Sequence, residues 1–551
     1  MSPLSTSPIE SAANLPGMPA KLRSLVQAPK VDISIRLASR KTVYTTLDKI
    51  EGVASLTAPV DTRFDDVEVE FVGTGRTFVE RLTTAAAVSG RSEAFHQFLK
   101  LTQPGLEARY PEDKVLKAGQ TYDFPFVFAV PQQLLPRICQ HKVQSPAVRD
   151  AHLQLPPTLG DKDSNSQNGG LDDMAPDMAS VRYGVFAKVT KMKITSEETI
   201  KVSLASKARK LRISPAVDEQ PPLDAGGDGS EYTLRKEKTL RKGMLKGKLG
   251  TLVMEALQPP SLRMKPNHDP DTRTTTMATV LLRFDPADES AQPPRLGTMS
   301  SKLKVSTYFS STARQSFPSK SASLLDLSQG LHSEQLNLSS RCMGNVEWTK
   351  TTTPKPPTVR RDSATSLSPP PPPSPLSSDK YKGKSYYTAR LLIPIMLPTT
   401  SKTFVPTFHS CLISRQYALK LDLTIPGTGG IAPSMDLRLP LQVSQEGRPE
   451  DVSTSPERVP VPRDAASSTE DADADAEAEE EDGESLDAES AYDFFEPRSM
   501  RRPSESPVRR SRLGSTAPTS NAEYEAPPGY TALPPGAQMV PRRGRGAVAV
   551  H

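Results

Sequence analysis

The stretch TYDFPFVFAVP (121–131) places Tyr122, Phe124, Phe126, Phe128 and Val130 on one side of an extended chain and polar or small residues mostly on the other. That period of two is the mark of a strand with one face buried. It recurs in VDISIRL (31–37) and in DDVEVEFVG (65–73), where Val67, Val69 and Phe71 share a face. VRYGVFAKVTKMKI (181–194) and VSLASKARKLRI (202–213) continue it. No stretch keeps a helical period over several turns; SEAFHQFLKL (92–101) reads as a single short helix or an irregular turn. The pattern then restarts. EYTLRKEKTLRKGMLKGKLGTLVMEAL (231–257) reads as two strands joined by a basic hairpin, followed by strand-like runs at 274–286, 301–311, 388–397, 404–425 and 434–444. Short alternating strands between Pro, Gly, Asn and Asp breaks predict an all-β chain of antiparallel sandwiches.

Two batches of strands predict two sandwiches in tandem, 29–216 and 231–445, divided by a linker at 217–230. The other segments are poor in residues to bury. Residues 1–28, the insert at 160–180, a Pro/Ser-rich insert at about 350–380 and everything from 446 to 551 are expected to be disordered, because such compositions cannot offset the entropy of ordering. The chain of 551 residues holds 54 prolines, concentrated in these parts. The last segment carries an acidic run (470–484), Arg-rich pieces (498–512 and 541–546) and a Pro-Pro-x-Tyr sequence.

The three cysteines, Cys139, Cys342 and Cys411, are too sparse for a disulfide scaffold and fit a reducing compartment. The N-terminal residues show neither an apolar signal core nor an Arg-rich amphipathic helix, and no apolar run approaches the length of a membrane span. The expectation is a cytoplasmic protein whose membrane association is peripheral. A net charge of +5 is too mild to imply nucleic acid.

The ordered part resembles a known family. KTVYTTLDKIEGVASLTAPVDTRFDDVEVEFVGTGRTFVERLT, FHQFLKLTQP and VLKAGQTYDFPFVFAVPQQLLPRIC together look like the N-terminal domain of a fungal α-arrestin. Gly119, Phe124, Pro125, Phe126, Pro131 and the pair Leu135-Pro136 stand where that family has them. KGKLGTLVMEAL, FVPTFHSCLISRQYALKLDLTI and LRLPLQV look like its C-terminal domain. The resemblance covers roughly 30–445 apart from the inserts. It implies an arrestin-like fold and a non-catalytic adaptor that links plasma-membrane transporters or receptors to a WW-domain HECT ubiquitin ligase. Cargo ubiquitination and endocytosis would follow at the plasma membrane or endosomes. An arrestin-like signalling scaffold, as in ambient-pH sensing, is the alternative.

The residues support that reading to different degrees. Pro527 and Pro528 preset a polyproline II turn, and Tyr530 follows at the spacing that fills a WW groove. Only one such motif is present, so avidity across several WW domains is not available from one chain. Arg235, Lys236, Lys238, Arg241, Lys242, Lys246 and Lys248 concentrate positive charge in the predicted hairpin, a candidate contact for anionic lipid or cargo and equally a solvated face. Ser363 and Ser504 follow arginine pairs, and Ser374 and Ser506 precede proline, as candidate phosphorylation sites. GTGR (73–76) lacks the lysine of a phosphate loop and reads as a tight turn. Cys139, His141 and His152 are ligand-type residues at a spacing that matches no zinc pattern, so they read as loop and core residues and no metal or cofactor is expected. No convergent acid, base or nucleophile set argues for an enzyme.

Overall fold

The computed structural model describes residues 31–81, 90–161, 171–194, 199–221, 231–242, 247–266, 273–352, 376–379, 381–383, 385–426, 433–447 and 485–486. Among these the chain is all-β, in antiparallel sheets with one two-stranded parallel pair.

The first half packs two sheets face to face. Strands β1 (Asp32–Leu37), β2 (Lys49–Thr57) and β7 (Thr121–Ala129) form one, in the order β1-β2-β7. Strands β4 (Asp66–Arg81), β5 (Gly90–Thr102), β8 (Ala179–Ile194) and β9 (Thr199–Leu211) form the other, in the order β9-β8-β4-β5. A short pair, β3 (Thr62–Arg63) with β6 (Val115–Leu116), lies beside them. The inward residues of both sheets make one core: Ile33, Ile50, Leu56, Phe124 and Phe126 from the first meet Val69, Phe71, Tyr183 and Val185 from the second. The alternation of β7 is realised, with Phe124, Phe126, Phe128 and Val130 buried and Tyr122 half-buried. Pro125 is tolerated within β7 because β7 is an edge strand, and the Val127 amide on that edge donates to the Gln103 side chain. Gly119, before β7, adopts a left-handed φ of 71°, which a turn there requires.

Two sequence expectations fail at the same place. Residues 92–101 are not helical but form most of β5, and GTGR is not a turn but the middle of β4. The cause is a β-bulge: Gly73 faces Leu99 and Thr74 faces Gln97, so Phe98 is the extra residue. Phe98 and Leu99 are therefore buried in succession, which breaks the period of two. Gly73 supplies the room, since a Cβ there would lie 2.6 Å from the Phe98 ring and 2.8 Å from the Tyr183 ring.

The second half repeats the plan. Strands β10 (Arg235–Arg241), β11 (Lys248–Ala256), β13 (Thr275–Pro286), β17 (Ser385–Met396) and β16 (Thr349–Thr352) form one sheet in that order. Strands β15 (Gln329–Cys342), β14 (Thr298–Ser310), β19 (Ile413–Thr424) and β18 (Phe408–His409) form the facing sheet, with β20 (Ser434–Leu441) also on β19. The parallel pair is β12 (Leu262–Met264) with β21 (Val443–Gln445). Leu252, Leu282, Phe284 and Ile393 pack against Leu303, Leu419, Leu421 and Leu437 in a second core. Two short helices interrupt the sheets, α1 (Pro146–Leu153) in the first half and α2 (Lys320–Leu325) in the second.

The boundaries of the inserts also shift. Residues 162–170 lie outside the described residues, but 171–180 are ordered, and Met174 is buried in the second core. In the Pro/Ser insert, β16 holds 349–352, and the buried Ser378 donates its amide to Asp285 at 2.8 Å. Beyond 447, Ser485–Leu486 form a two-residue strand, β22, paired antiparallel with β9. The edge of β9 offers unpaired backbone groups to an extended segment, which an absence of local hydrophobic pattern does not prevent.

Candidate functional site

The halves meet over shared core and shared charge. Phe309, Phe408, Leu412 and Ile413 of the second half belong to the first core. Thr77 donates to the Ser310 carbonyl at 2.6 Å, and the Gln144 amide to Gln315 at 2.8 Å. Between them lies a group of charged residues, buried at Arg415, Asp161 and Asp173 and more open at Lys402 and Asp172. Arg415, fully buried on β19, donates to the Asp173 carbonyl at 3.1 Å. The Asp173 carboxylate accepts from the Gly160 and Ala175 amides at 2.6 and 3.0 Å. Lys402 pairs with Asp172 at 2.6 Å, and Lys210 lies 3.8 Å from the buried Asp161. Burial pulls the Arg212 guanidinium down, while Asp173 and Asp161 oppose that shift. Asp172 and Asp173 stand in the segment that composition assigned to disorder. Lys402 and Arg415, which hold the Asp172 carboxylate and the Asp173 carbonyl, lie far along the chain, so no local pattern announces them.

At one end of this junction four ligand-type side chains converge. Cys139 closes a 3-10 turn (Pro136–Ile138), its amide bonded to the Pro136 carbonyl at 3.2 Å. His152 stands in the last turn of α1, a helix started by Ser145, which accepts from the Val148 amide, and by Pro146. His141 lies between them in sequence. Cys411 comes from the turn between β18 and β19, where the Ser410 amide and hydroxyl both donate to the Ile413 carbonyl. The Cys139 sulfur lies 3.3 Å from His141 Nε2 and 3.6 Å from His152 Nδ1. One ligand atom from each of the four residues lies within 4.8 Å of every other. Cys139, His152 and Cys411 are buried and His141 half-buried.

The electrostatics follow from burial. Burial, with His141, Arg314 and His96 nearby, holds His152 down at about 4. Burial, followed by the neighbouring Cys139, pushes the Cys411 thiol up to about 12. The His141 Nδ1 lies 3.1 Å from the Lys142 carbonyl, so a proton there leaves Nε2 facing Cys139 with a lone pair. A cleft of about 190 Å³ opens beside the cluster, lined by Phe95, His96, Ile138, His141, Cys411 and Leu412. Spacing alone makes Cys139, His141 and His152 read as loop and core residues, because it matches no zinc pattern. The fold brings Cys411 from the other half beside these three loop and helix residues.

The predicted basic hairpin is present, as β10 and β11, but much of its charge is engaged. Arg235 pairs with Glu237 and donates to the Ser377 carbonyl at 2.8 Å; Lys236 pairs with Asp436. Lys242 lies 3.2 Å from Asp288, and Lys238 donates to the Ser434 carbonyl at 2.9 Å. Arg241 and Lys248 are exposed. Since β10 is an edge strand, its lysines also discourage pairing with another chain. Lys246, Pro527, Pro528, Tyr530, Ser363, Ser374, Ser504 and Ser506 lie outside the described residues. Among the described residues no helix is long and apolar enough to cross a membrane. No protein-family model matches the chain, and no curated protein does.

Proposed function

We propose that this chain is a non-catalytic adaptor of the arrestin-like kind, carrying cytoplasmic segments of membrane transporters or receptors to a WW-domain ubiquitin ligase of the HECT class. The observation that carries the reading is the presence in one chain of two sandwiches, within the described residues 31–447, and of a Pro-Pro-x-Tyr motif at 527–530 in a polar stretch of sequence. The packed sandwiches offer a broad surface for cargo, and the motif offers a ligase-binding site. Chemistry then resides in the ligase, and the adaptor acts by proximity. Peripheral recruitment to the plasma membrane or endosomes would follow from cargo, with the exposed Arg241 and Lys248 of the hairpin available to anionic lipid.

The test is a pull-down of the full-length chain on WW domains of a HECT ligase, with Tyr530→Ala for comparison. Wild type is expected to bind at micromolar strength and the variant to lose at least tenfold, the loss of one aromatic anchor of about 1.4 kcal/mol or more. Equal binding by both chains, or none by either, would refute ligase recruitment through this motif and favour a signalling scaffold on the same fold.

A further inference from the structure

We propose that Cys139, His141, His152 and Cys411 bind one zinc ion, and that this ion ties the two sandwiches together. The site is independent of the adaptor reading. A tetrahedral zinc with two thiolates and two imidazoles sets its ligand atoms about 3.3–3.8 Å apart, from bond lengths of about 2.3 Å to sulfur and about 2.0–2.1 Å to nitrogen. Cys139 already holds its two histidine nitrogens at 3.3 and 3.6 Å, inside that range. The whole set spans no more than 4.8 Å, so closing onto an ion needs only side-chain rotation by Cys411 and the histidines.

The donor chemistry selects the metal. Two sulfurs and two nitrogens in a small space suit zinc and reject magnesium or calcium, which require oxygen. Charge favours it as well. Zinc displaces the two thiol protons, and a dication with two thiolates is neutral overall, so three buried ligands can surround it without stranding a charge. The contact between His141 Nδ1 and the Lys142 carbonyl is the outer partner that metal-binding histidines usually have, and it directs Nε2 toward the centre. Four protein ligands close the coordination shell, which marks a structural site.

The topology gives the ion its role. Cys139, His141 and His152 lie on the loop and helix between β7 and β8, and Cys411 on the turn that starts β19. An ion held by all four is a crosslink between the halves, at the rim of an interface otherwise made of packing, hydrogen bonds and the Lys402–Asp172 ion pair. Loss of the ion would loosen the junction where Leu412 and Ile413 enter the first core.

The test uses the full-length chain, purified with zinc present and then freed of loose metal by gel filtration. Elemental analysis is expected to find one zinc per chain, retained by Cys342→Ser, whose thiol is exposed, and lost by Cys139→Ser and by Cys411→Ser. Because those variants can misfold, the wild type is also stripped and reloaded with cobalt(II). Thiolate-to-cobalt charge-transfer bands and intense tetrahedral ligand-field bands are expected at one equivalent. Chelation is expected to lower the Tm and to open the 131–154 segment to protease, with zinc restoring both. A wild type that holds no zinc and gives only octahedral cobalt overturns the site, as does a Cys139–Cys411 disulfide in the purified protein or full retention of zinc by Cys411→Ser. A stripped protein with unchanged Tm and unchanged cleavage overturns the crosslink while leaving the site.

Discussion

Gly73→Ala tests the bulge that displaces the predicted turn and helix. The added Cβ would lie 2.6 Å from Phe98 Cε2 and 2.8 Å from Tyr183 Cε1, well inside ordinary contact. Neither ring has room to yield. Tyr183 is fully buried, its hydroxyl donates to the Pro156 carbonyl at 2.5 Å, and its ring lies against Phe71 and Phe98, with centroids 6.1 and 5.5 Å away. Phe98 is 4% exposed. Overpacking of this kind costs about 1–3 kcal/mol. Replacing glycine restricts the unfolded chain and returns about 0.4–1 kcal/mol. The net loss is about 1–2 kcal/mol, which for a domain of this size lowers the Tm by about 2–8 °C. Differential scanning calorimetry of the full chain reads it as a shift of the transition that involves the first sandwich. Gly75→Ala is the control, two residues along the same strand, where the nearest atoms would be at 3.9 Å, so that chain should melt with the wild type or slightly above it. If Gly73→Ala melts with the wild type, or Gly75→Ala loses as much, the bulge does not pack as described and a turn at 73–76 regains its standing.

Tyr110→Phe removes a hydroxyl that accepts from the Val67 amide at 2.7 Å and donates to Asp66 at 2.9 Å; leaving that amide without a partner should cost about 1–3 kcal/mol in urea unfolding, and a cost near zero would refute the pairing. Burial alone would raise the Asp66 carboxyl, but hydrogen bonds from Lys201 and Tyr110 outweigh it and hold the group below its ordinary range. Its contribution is therefore full above the unfolded carboxyl pKa of about 3.9 and is lost as pH falls through the lower folded value, so Asp66→Asn should flatten the acid limb of the stability curve below about pH 4 and leave its neutral limb parallel to wild type. Arg415→Ala opens a cavity and leaves the Asp173 carbonyl without its buried donor, for an expected loss of about 2–5 kcal/mol, whereas Arg415→Met fills the volume and should lose less. Equal melting of the alanine variant and wild type would show that Arg415 does not hold the junction.

How far the fold could be read depended on where each residue's partners sit. The alternation of β7 is legible because one face of a regular strand is buried and the other is not, so the pattern is written in consecutive residues. In β5 the same rule is obeyed on either side of an inserted Phe98, and one extra residue is enough to turn a strand pattern into something like a helical one. In 171–180 the signal is weaker still. Asp172 and Asp173 look solvated by composition, yet the Asp172 carboxylate pairs with Lys402 and the Asp173 carbonyl accepts from Arg415, whose positions only the folded chain relates to them.

The cysteine and histidine cluster carries this dependence furthest. Zinc patterns are recognisable in sequence when the ligands share one loop or one hairpin, because a short chain fixes both the spacing and the geometry. Cys139, His141 and His152 occupy one short loop and helix, but they supply only three ligands, and three at irregular spacing resemble many chance combinations. Cys411 contributes through the packing of one sandwich on the other, so its separation along the chain has no chemical meaning. A crosslink between domains must draw ligands from both, and that requirement separates the ligands in sequence. The feature that makes the cluster suited to staple the halves is thus the one that hides it from a reading of residue spacing.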